Sequence, residues 1–134
     1  MIKGAKTYAK KYGLKLICLS SLDDEFDWCD TVVNQDEINP FEWAGYFKFA
    51  DVVMTCTYHG LLFSLIFEKK TVFNMTDFIW NKSQSLVDEL GLKQVLVDYK
   101  YFDEKVNWDW NYSVINNKLD KMRKKSLEFL DDCM

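Results

Sequence analysis

The apolar residues of the chain follow two patterns in turn. One is a short continuous apolar run, and the other is a longer segment in which apolar residues have helical spacing. Short apolar or β-branched runs bounded by polar residues are typical of buried strands. Five such runs predict strands at residues 14–19, 31–34, 51–56, 71–74 and 94–98. The regular alternation of strand and helix predicts an α/β fold, a Rossmann-like parallel sheet of about five strands with helices on both faces.

Two of the predicted helices have clear boundaries. Residues 2–12 place apolar side chains on one face, and Gly13 follows as a stop. The segment 39–42, Asn-Pro-Phe-Glu, supplies an N-cap, a proline at the first helical position and a glutamate at the third, which predicts a helix to about Phe49. Shorter helices are predicted at 61–67 and 83–90, with Gly91 ending the second.

Three later segments give weaker patterns. Residues 75–82 predict an irregular stretch, and Ser113 is the predicted cap of a last helix. The intervening residues 99–112 carry Trp108 and Trp110 and have no clear assignment. Their aromatic side chains favour cover for a sheet edge, with a sugar-stacking platform as the alternative.

Length and charge narrow the possible functions. The 134 residues predict a single domain, and the net charge of −4 argues against nucleic acid or an anionic membrane as a partner. We expect no transmembrane helix, because no apolar run approaches about 18 residues. With no apolar export signal near the N-terminus, we expect a cytoplasmic protein. Four scattered cysteines then predict reduced thiols of the core: Cys18, Cys29, Cys56 and Cys133.

Metal binding is not favoured by the sequence. One histidine and scattered cysteines cannot easily supply a zinc site, so we expect neither a metal nor a cofactor. An acidic run between the first two predicted strands could bind a cation, but it favours a solvated loop: Asp23, Asp24, Glu25 and Asp27.

The most informative stretch is 51–74, which predicts a strand, a tight turn, a buried helix and a second strand. The turn is Thr57-Tyr58-His59-Gly60, at the sheet edge where open α/β folds bind ligands. Free N–H groups of the helix favour an anion, and Gly60 lets a ligand approach the backbone. With the Thr57 hydroxyl and the His59 ring, this turn suits a phosphate or carboxylate. The alternative is that His59 only caps the helix.

Three ordered motifs resemble the polysaccharide pyruvyl transferase family. Residues 41–73 contain Thr57-Tyr58-His59-Gly60, similar to that family's S/T-F-H-G after an aspartate-led strand. Residues 85–92, SLVDELGL, are similar to its S-L-L-x-x-L-G-L motif, and residues 123–130, RKKSLEFL, to its R-x-x-S-x-x-F-L motif.

This resemblance implies the C-terminal domain of a two-domain enzyme of the GT-B architecture. Such enzymes transfer pyruvate from phosphoenolpyruvate to a sugar of a surface polysaccharide as a ketal. His59 would be the catalytic residue near phosphoenolpyruvate, with three neighbours shaping its pocket: Thr57, Tyr58 and Gly60. Lys82 stands near where many members carry an arginine, so it keeps the charge of a substrate-binding residue but not the bidentate geometry.

The implied partners are phosphoenolpyruvate, a glycan or lipid-linked sugar acceptor, and a missing N-terminal domain or partner chain. Two alternatives remain open at this point. One is a GT-B-like domain that binds a nucleotide sugar in a glycosyltransferase. The other is a degenerate, non-enzymatic domain that assembles with a larger biosynthetic complex.

Overall fold

The computed structural model describes residues 1–21 and 26–134. Its strands are β1 (Ile17–Ser20), β2 (Thr31–Asn34), β3 (Val52–Thr55) and β4 (Lys70–Phe73). Its α-helices are α1 (Ile2–Tyr12), α2 (Pro40–Phe49), α3 (Tyr58–Ile66), α4 (Asp77–Glu89), α5 (Phe102–Val106) and α6 (Tyr112–Cys133). A π-helical turn, Gln94–Asp98, lies between α4 and α5.

The strands form two small parallel sheets. In the first, β1 pairs with β2 and Ile17 lies opposite Thr31. In the second, β3 pairs with β4 and Val52 lies opposite Lys70. The mixed α/β class and the parallel pairing are therefore confirmed, and four of the five predicted strands occur. The single five-stranded sheet is not observed, since the described residues form two sheets of two strands each.

The fifth predicted strand, residues 94–98, was assigned wrongly. Its backbone is helical, with Leu96 N–H donating to Leu92 O at 2.9 Å and Tyr99 N–H to Gln94 O at 2.8 Å. Val95 and Leu96 are fully buried. The apolar run therefore predicted the burial of this segment correctly, but it did not predict the backbone conformation. A run of five residues cannot distinguish a buried strand from a buried helical turn.

The helix signals gave mixed results. Gly13 ends α1 with φ of 65°, and the Asn39 side chain accepts N–H bonds at the start of α2, both as predicted. The prediction of an irregular stretch at 75–82 is wrong, because Thr76 caps a single helix, α4, that includes most of the predicted 83–90 helix. The last helix also begins earlier than predicted, since its cap is Asn111 and not Ser113.

The main core lies where α3, β4, α4, the π-helical turn and the start of α6 meet. Its buried members are Leu61, Leu65, Phe73, Leu86, Val87, Leu90, Leu92, Val95, Leu96, Ile115 and Leu119. Trp108 and Trp110 pack against this cluster, and the Trp110 indole donates to Lys105 O at 2.9 Å. The two tryptophans are therefore partly buried and cover the core.

The first turns of α6 are hydrogen-bonded to the connection between α3 and β4. The Tyr112 hydroxyl donates to Lys69 O, and the Asn116 amide donates to Glu68 at 2.6 Å. Both acceptors lie just before β4, at the amino edge of the second sheet. The site predicted at Thr57–Gly60 lies at the opposite, carboxyl edge, so α6 supports the fold without covering that site.

The cysteines are less buried than predicted. Cys18 and Cys29 are partly buried, whereas Cys56 and Cys133 are exposed, so none of the four is a core residue. Burial raises the pKa of the Cys18 thiol, and the nearby Cys29 adds to this shift. Among the helices that the structure describes, none has both the length and the apolar character needed to cross a membrane.

Candidate functional site

The candidate site lies at the carboxyl edge of the β3–β4 sheet. Because these strands are parallel, Thr55 and Phe73 end at the same edge. Asn74 N–H donates to Thr55 O at 2.9 Å, which holds the chain after β4 beside the end of β3. Both α3 and α4 begin within four residues of these strand ends. Two helix N-termini therefore lie at one edge of the sheet, where parallel α/β folds bind ligands.

Thr57 forms the cap of α3. Its backbone is extended, and its hydroxyl oxygen accepts the N–H of Gly60 at 3.0 Å. The Thr55 hydroxyl in turn accepts the N–H of Thr57 at 3.2 Å, which fixes the approach to the helix. The capping role that one interpretation gave to His59 is therefore filled by Thr57.

His59 is the second residue of α3, and its side chain is exposed. Its ring packs edge-on against the ring of Tyr58, with 5.9 Å between the ring centroids. Tyr58 is half-buried and packs against the main core, so the core fixes one side of this pair. Within the described parts of the chain, no hydrogen bond joins the His59 ring to another protein group. The imidazole nitrogens are therefore available to a ligand.

Two backbone donors accompany the ring. The first bond within α3 runs from Leu61 N–H to Thr57 O at 3.0 Å, and the N–H of Gly60 is taken by the cap. The N–H groups of Tyr58 and His59 precede these bonds and have no acceptor within the helix. Together with the positive end of the helix dipole, they favour an anion beside the His59 ring.

Gly60 allows close packing within the protein itself. It is buried, and a Cβ atom there would lie 2.0 Å from the Thr55 hydroxyl oxygen and 2.8 Å from that of Thr57. No side chain fits this space, so glycine is required for α3 to start directly behind β3. This packing explains Gly60 without a ligand, and its contribution to a substrate pocket stays a prediction.

Lys82 lies on α4, the second helix that begins at this edge. It is exposed, and its ammonium group lies 4.4 Å from the centroid of the Phe78 ring. Phe78 is one turn nearer the start of α4, so the Lys82 side chain extends toward the carboxyl edge. The structure records no contact between Lys82 and residues 57–60. The four residues Thr57, Tyr58, His59 and Gly60 therefore lie together, whereas Lys82 lies on the neighbouring helix.

Sequence reasoning missed two residues of this region. Thr55 orders the turn through its hydroxyl, and Phe78 holds the Lys82 side chain. The Phe78–Lys82 pair has the i, i+4 spacing of a helix, but the segment was predicted to be irregular. No sequence signal singled out Thr55.

Other possible sites lie elsewhere. Two surface cavities of about 210 and 430 Å³ border α1 and include none of the predicted site residues. Of the acidic run, Asp23, Asp24 and Glu25 lie outside the described residues, so the predicted loop is not tested. Within the described ranges there is no group of three or more His, Cys, Asp or Glu residues that could hold a metal ion.

Just over half of the chain matches a known protein family. A family model for the polysaccharide pyruvyl transferases matches residues 4–73, which are 70 of the 134 residues. This span contains β3, the Thr57–Gly60 turn, α3 and β4. Lys82 and the later motifs at 85–92 and 123–130 lie beyond it. Comparisons with curated proteins and with solved structures gave no match.

Proposed function

The chain belongs to the polysaccharide pyruvyl transferase family, and we propose that it is the substrate-binding, C-terminal domain of such an enzyme. In this proposal, the enzyme transfers pyruvate from phosphoenolpyruvate to two hydroxyl groups of a sugar, forming a ketal and releasing phosphate. The single observation that carries the proposal is the position of His59. Within the matched span, its exposed ring stands beside unused N–H groups at the carboxyl edge of the sheet.

The geometry suits a phosphate group at the start of α3. The N–H groups of Tyr58 and His59 would donate to phosphate oxygens, and the helix dipole would favour the charge. Thr57 would contribute by holding these donors in place, because its hydroxyl oxygen already accepts the Gly60 N–H at 3.0 Å. Its role in the site is then to order the turn.

His59 is the residue of this turn that can transfer a proton. Ketal formation joins the central carbon of phosphoenolpyruvate to two sugar oxygens and breaks its C–O bond to phosphate. Of the two hydroxyl protons, the balance requires one on the methylene carbon, which becomes a methyl group, and one on the departing phosphate. A protonated imidazole could serve as the general acid in this step, and it would also attract the phosphate before reaction. We assign His59 this double role of general acid and anion clamp.

Lys82 would supply a second positive charge for the same substrate. Phosphoenolpyruvate carries a carboxylate as well as a phosphate, and the α4 helix begins at the same edge as α3. An ammonium group attracts a carboxylate as a point charge, without the two parallel hydrogen bonds that arginine forms. The Phe78 ring lies 4.4 Å from that ammonium group.

The sugar acceptor would approach from outside this domain. Residues 57–59 lie on an open surface, so a second surface is needed to enclose the reacting groups and exclude water. We propose that an N-terminal domain or a partner chain supplies this surface and the sugar-binding groups. Phosphoenolpyruvate is a cytoplasmic metabolite, which places the proposed reaction in the cytoplasm.

The test is a ligand titration of the chain followed by NMR. Phosphoenolpyruvate, inorganic phosphate, pyruvate and a panel of nucleotide sugars are compared at equal concentration. We expect phosphoenolpyruvate to shift the amide signals of Tyr58 and His59 most, with phosphate weaker and pyruvate weaker still. Lys82→Gln should weaken the phosphoenolpyruvate response, whereas Lys82→Arg should preserve or strengthen it.

Two results would contradict the proposal in different ways. Shifts at the start of α3 caused by a nucleotide sugar, and not by phosphoenolpyruvate, would favour a glycosyltransferase domain. No response to any of these ligands would favour a non-enzymatic assembly domain.

A further inference from the structure

The second half of α6 is exposed along its whole length. Ile115 and Leu119, in the first half, are buried in the main core. From residue 123 to the end of the helix every residue is exposed. These eleven residues form about 16 Å of helix. A helix segment of this length is marginal in water by itself, so packing against another surface would stabilise it.

The exposed half continues the helical spacing of the buried half, with Ser126 as the one polar member of the stripe. The stripe has alternating spacings of four and three residues: Ile115, Leu119, Met122, Ser126, Phe129 and Cys133. The first three members contact the protein's own core, and the last three are exposed. Phe129 is 67% exposed, and the adjacent Leu130 is 55% exposed. This spacing is typical of a helix that packs along a second helix.

The charges of α6 indicate the direction of that second helix. Residues 118–125 carry five cations and one anion: Lys118, Lys121, Arg123, Lys124, Lys125 and Asp120. Residues 126–133 carry three anions and no cation: Glu128, Asp131 and Asp132. Anions at the C-terminal end oppose the helix dipole, so this distribution does not stabilise the isolated helix. An antiparallel copy would place each acidic end beside a basic segment.

We propose that residues 122–133 of α6 form an interface for a second copy of this chain, with the two helices antiparallel. In this arrangement Ser126 packs against the partner's Phe129. Met122 is only partly buried against its own core, and its remaining surface packs against the partner's Cys133. Lys125 then lies beside the partner's Asp132, and the two-fold symmetry forms each contact twice. The interface lies at the end of α6 that is remote from Tyr112 and so leaves the contacts at Glu68 and Lys69 intact.

The interface is short, which determines how it should behave. The interface has four layers of paired side chains, which bury less surface than a stable dimer interface requires. We therefore expect a reversible dimer whose amount increases with protein concentration. Because the flanking ion pairs are exposed, association should weaken as salt screens them.

Sedimentation at increasing protein concentration tests the pairing. At low salt the mass should rise from 15.9 kDa toward twice that value. Lys125→Glu or Asp132→Lys should each weaken association by about tenfold, and the double variant should restore it. Lys124→Glu is the matched control, because it makes the same charge change on the outer face and should leave association near that of the unmodified chain.

Disulfide crosslinking tests the direction. Under mild oxidation, Met122→Cys should give a crosslinked dimer through the partner's Cys133, and the added change Cys133→Ser should abolish it. Circular dichroism melting confirms that each variant folds. Three results would each overturn the proposal: a 15.9 kDa species at every concentration, equal effects of Lys125→Glu and Lys124→Glu, or a Met122→Cys variant that crosslinks no more than the same variant with Cys133→Ser.

Discussion

The hydroxyl oxygen of Thr57 accepts a hydrogen bond from the backbone N–H of Gly60 at 3.0 Å. The sequence alone could not decide which residue of this turn caps the helix and which is available to a ligand, and this contact decides it. Thr57 caps α3, so the neighbouring His59 is not needed to start the helix. The exposed His59 ring is thereby left available for chemistry.

Removal of the cap should lower stability. Thr57→Ala leaves the Gly60 N–H without its acceptor, and we expect the free energy of unfolding to fall by about 1 kcal/mol. Thr57→Ser keeps the hydroxyl and should retain most of the stability. Urea denaturation followed by circular dichroism measures both. Equal stability of the alanine variant and the unmodified chain would show that the cap contributes nothing.

Gly60→Ala should be more damaging than Thr57→Ala. The added Cβ would lie 2.0 Å from the Thr55 hydroxyl oxygen, so α3 must move away from β3. We expect a loss of about 1–3 kcal/mol from overpacking. Combining it with Thr55→Ala, which removes the closest atom, should cost less than the sum of the two single changes.

Gly45→Ala provides the matched control for this prediction. Gly45 lies within α2, and nothing lies within 4 Å of the position that its Cβ would take. Alanine is a better helix former than glycine by about 1 kcal/mol, so this variant should be more stable. If Gly60→Ala were tolerated equally well, the close approach of Thr55 would not constrain the turn.

Tyr112 should make stability depend on pH in alkaline solution. Burial raises the pKa of its hydroxyl above the ordinary value of 10.0, and the nearby Glu68 adds to this shift. The folded protein then retains the proton while the unfolded chain loses it. The stability contribution is complete below about pH 10 and is lost as the pH rises further.

Tyr112→Phe tests this dependence. It removes the hydrogen bond to Lys69 O and should lower the free energy of unfolding by about 1 kcal/mol at neutral pH. The variant should also lose less stability than the unmodified chain between pH 9 and 11. Parallel slopes for the two proteins would rule out the contribution of Tyr112.

The sequence predicted most of the fold where local chemistry decides the structure. The Asn39 cap and the left-handed Gly13 act within a single turn, and both occur as expected. The strand prediction for residues 94–98 is wrong because an apolar run indicates burial and does not distinguish a strand from a helical turn. The strand pairing also depends on contacts between distant segments, which no local pattern contains, so one five-stranded sheet was predicted where two smaller sheets occur.

The sequence predicts where in the fold the candidate site lies, but not how its side chains contact one another. The order strand, turn and helix places His59 at the sheet edge from sequence alone. The division of roles among Thr55, Thr57 and Gly60 depends on distances below about 3.5 Å, which sequence spacing does not reveal. Only the family resemblance indicates Lys82. Its contact with Phe78 depends on the helical conformation of residues 77–89, which the sequence pattern of 75–82 does not predict.

The most direct test is an NMR titration of the chain with phosphoenolpyruvate, comparing the unmodified protein with His59→Ala. Because Thr57 provides the cap, the variant should unfold at nearly the same urea concentration. We predict saturable shifts of the Tyr58 amide and the His59 ring in the unmodified chain, and loss of the Tyr58 shift in the variant. If both proteins gave the same Tyr58 shift, or neither responded, His59 would not serve a phosphoenolpyruvate site.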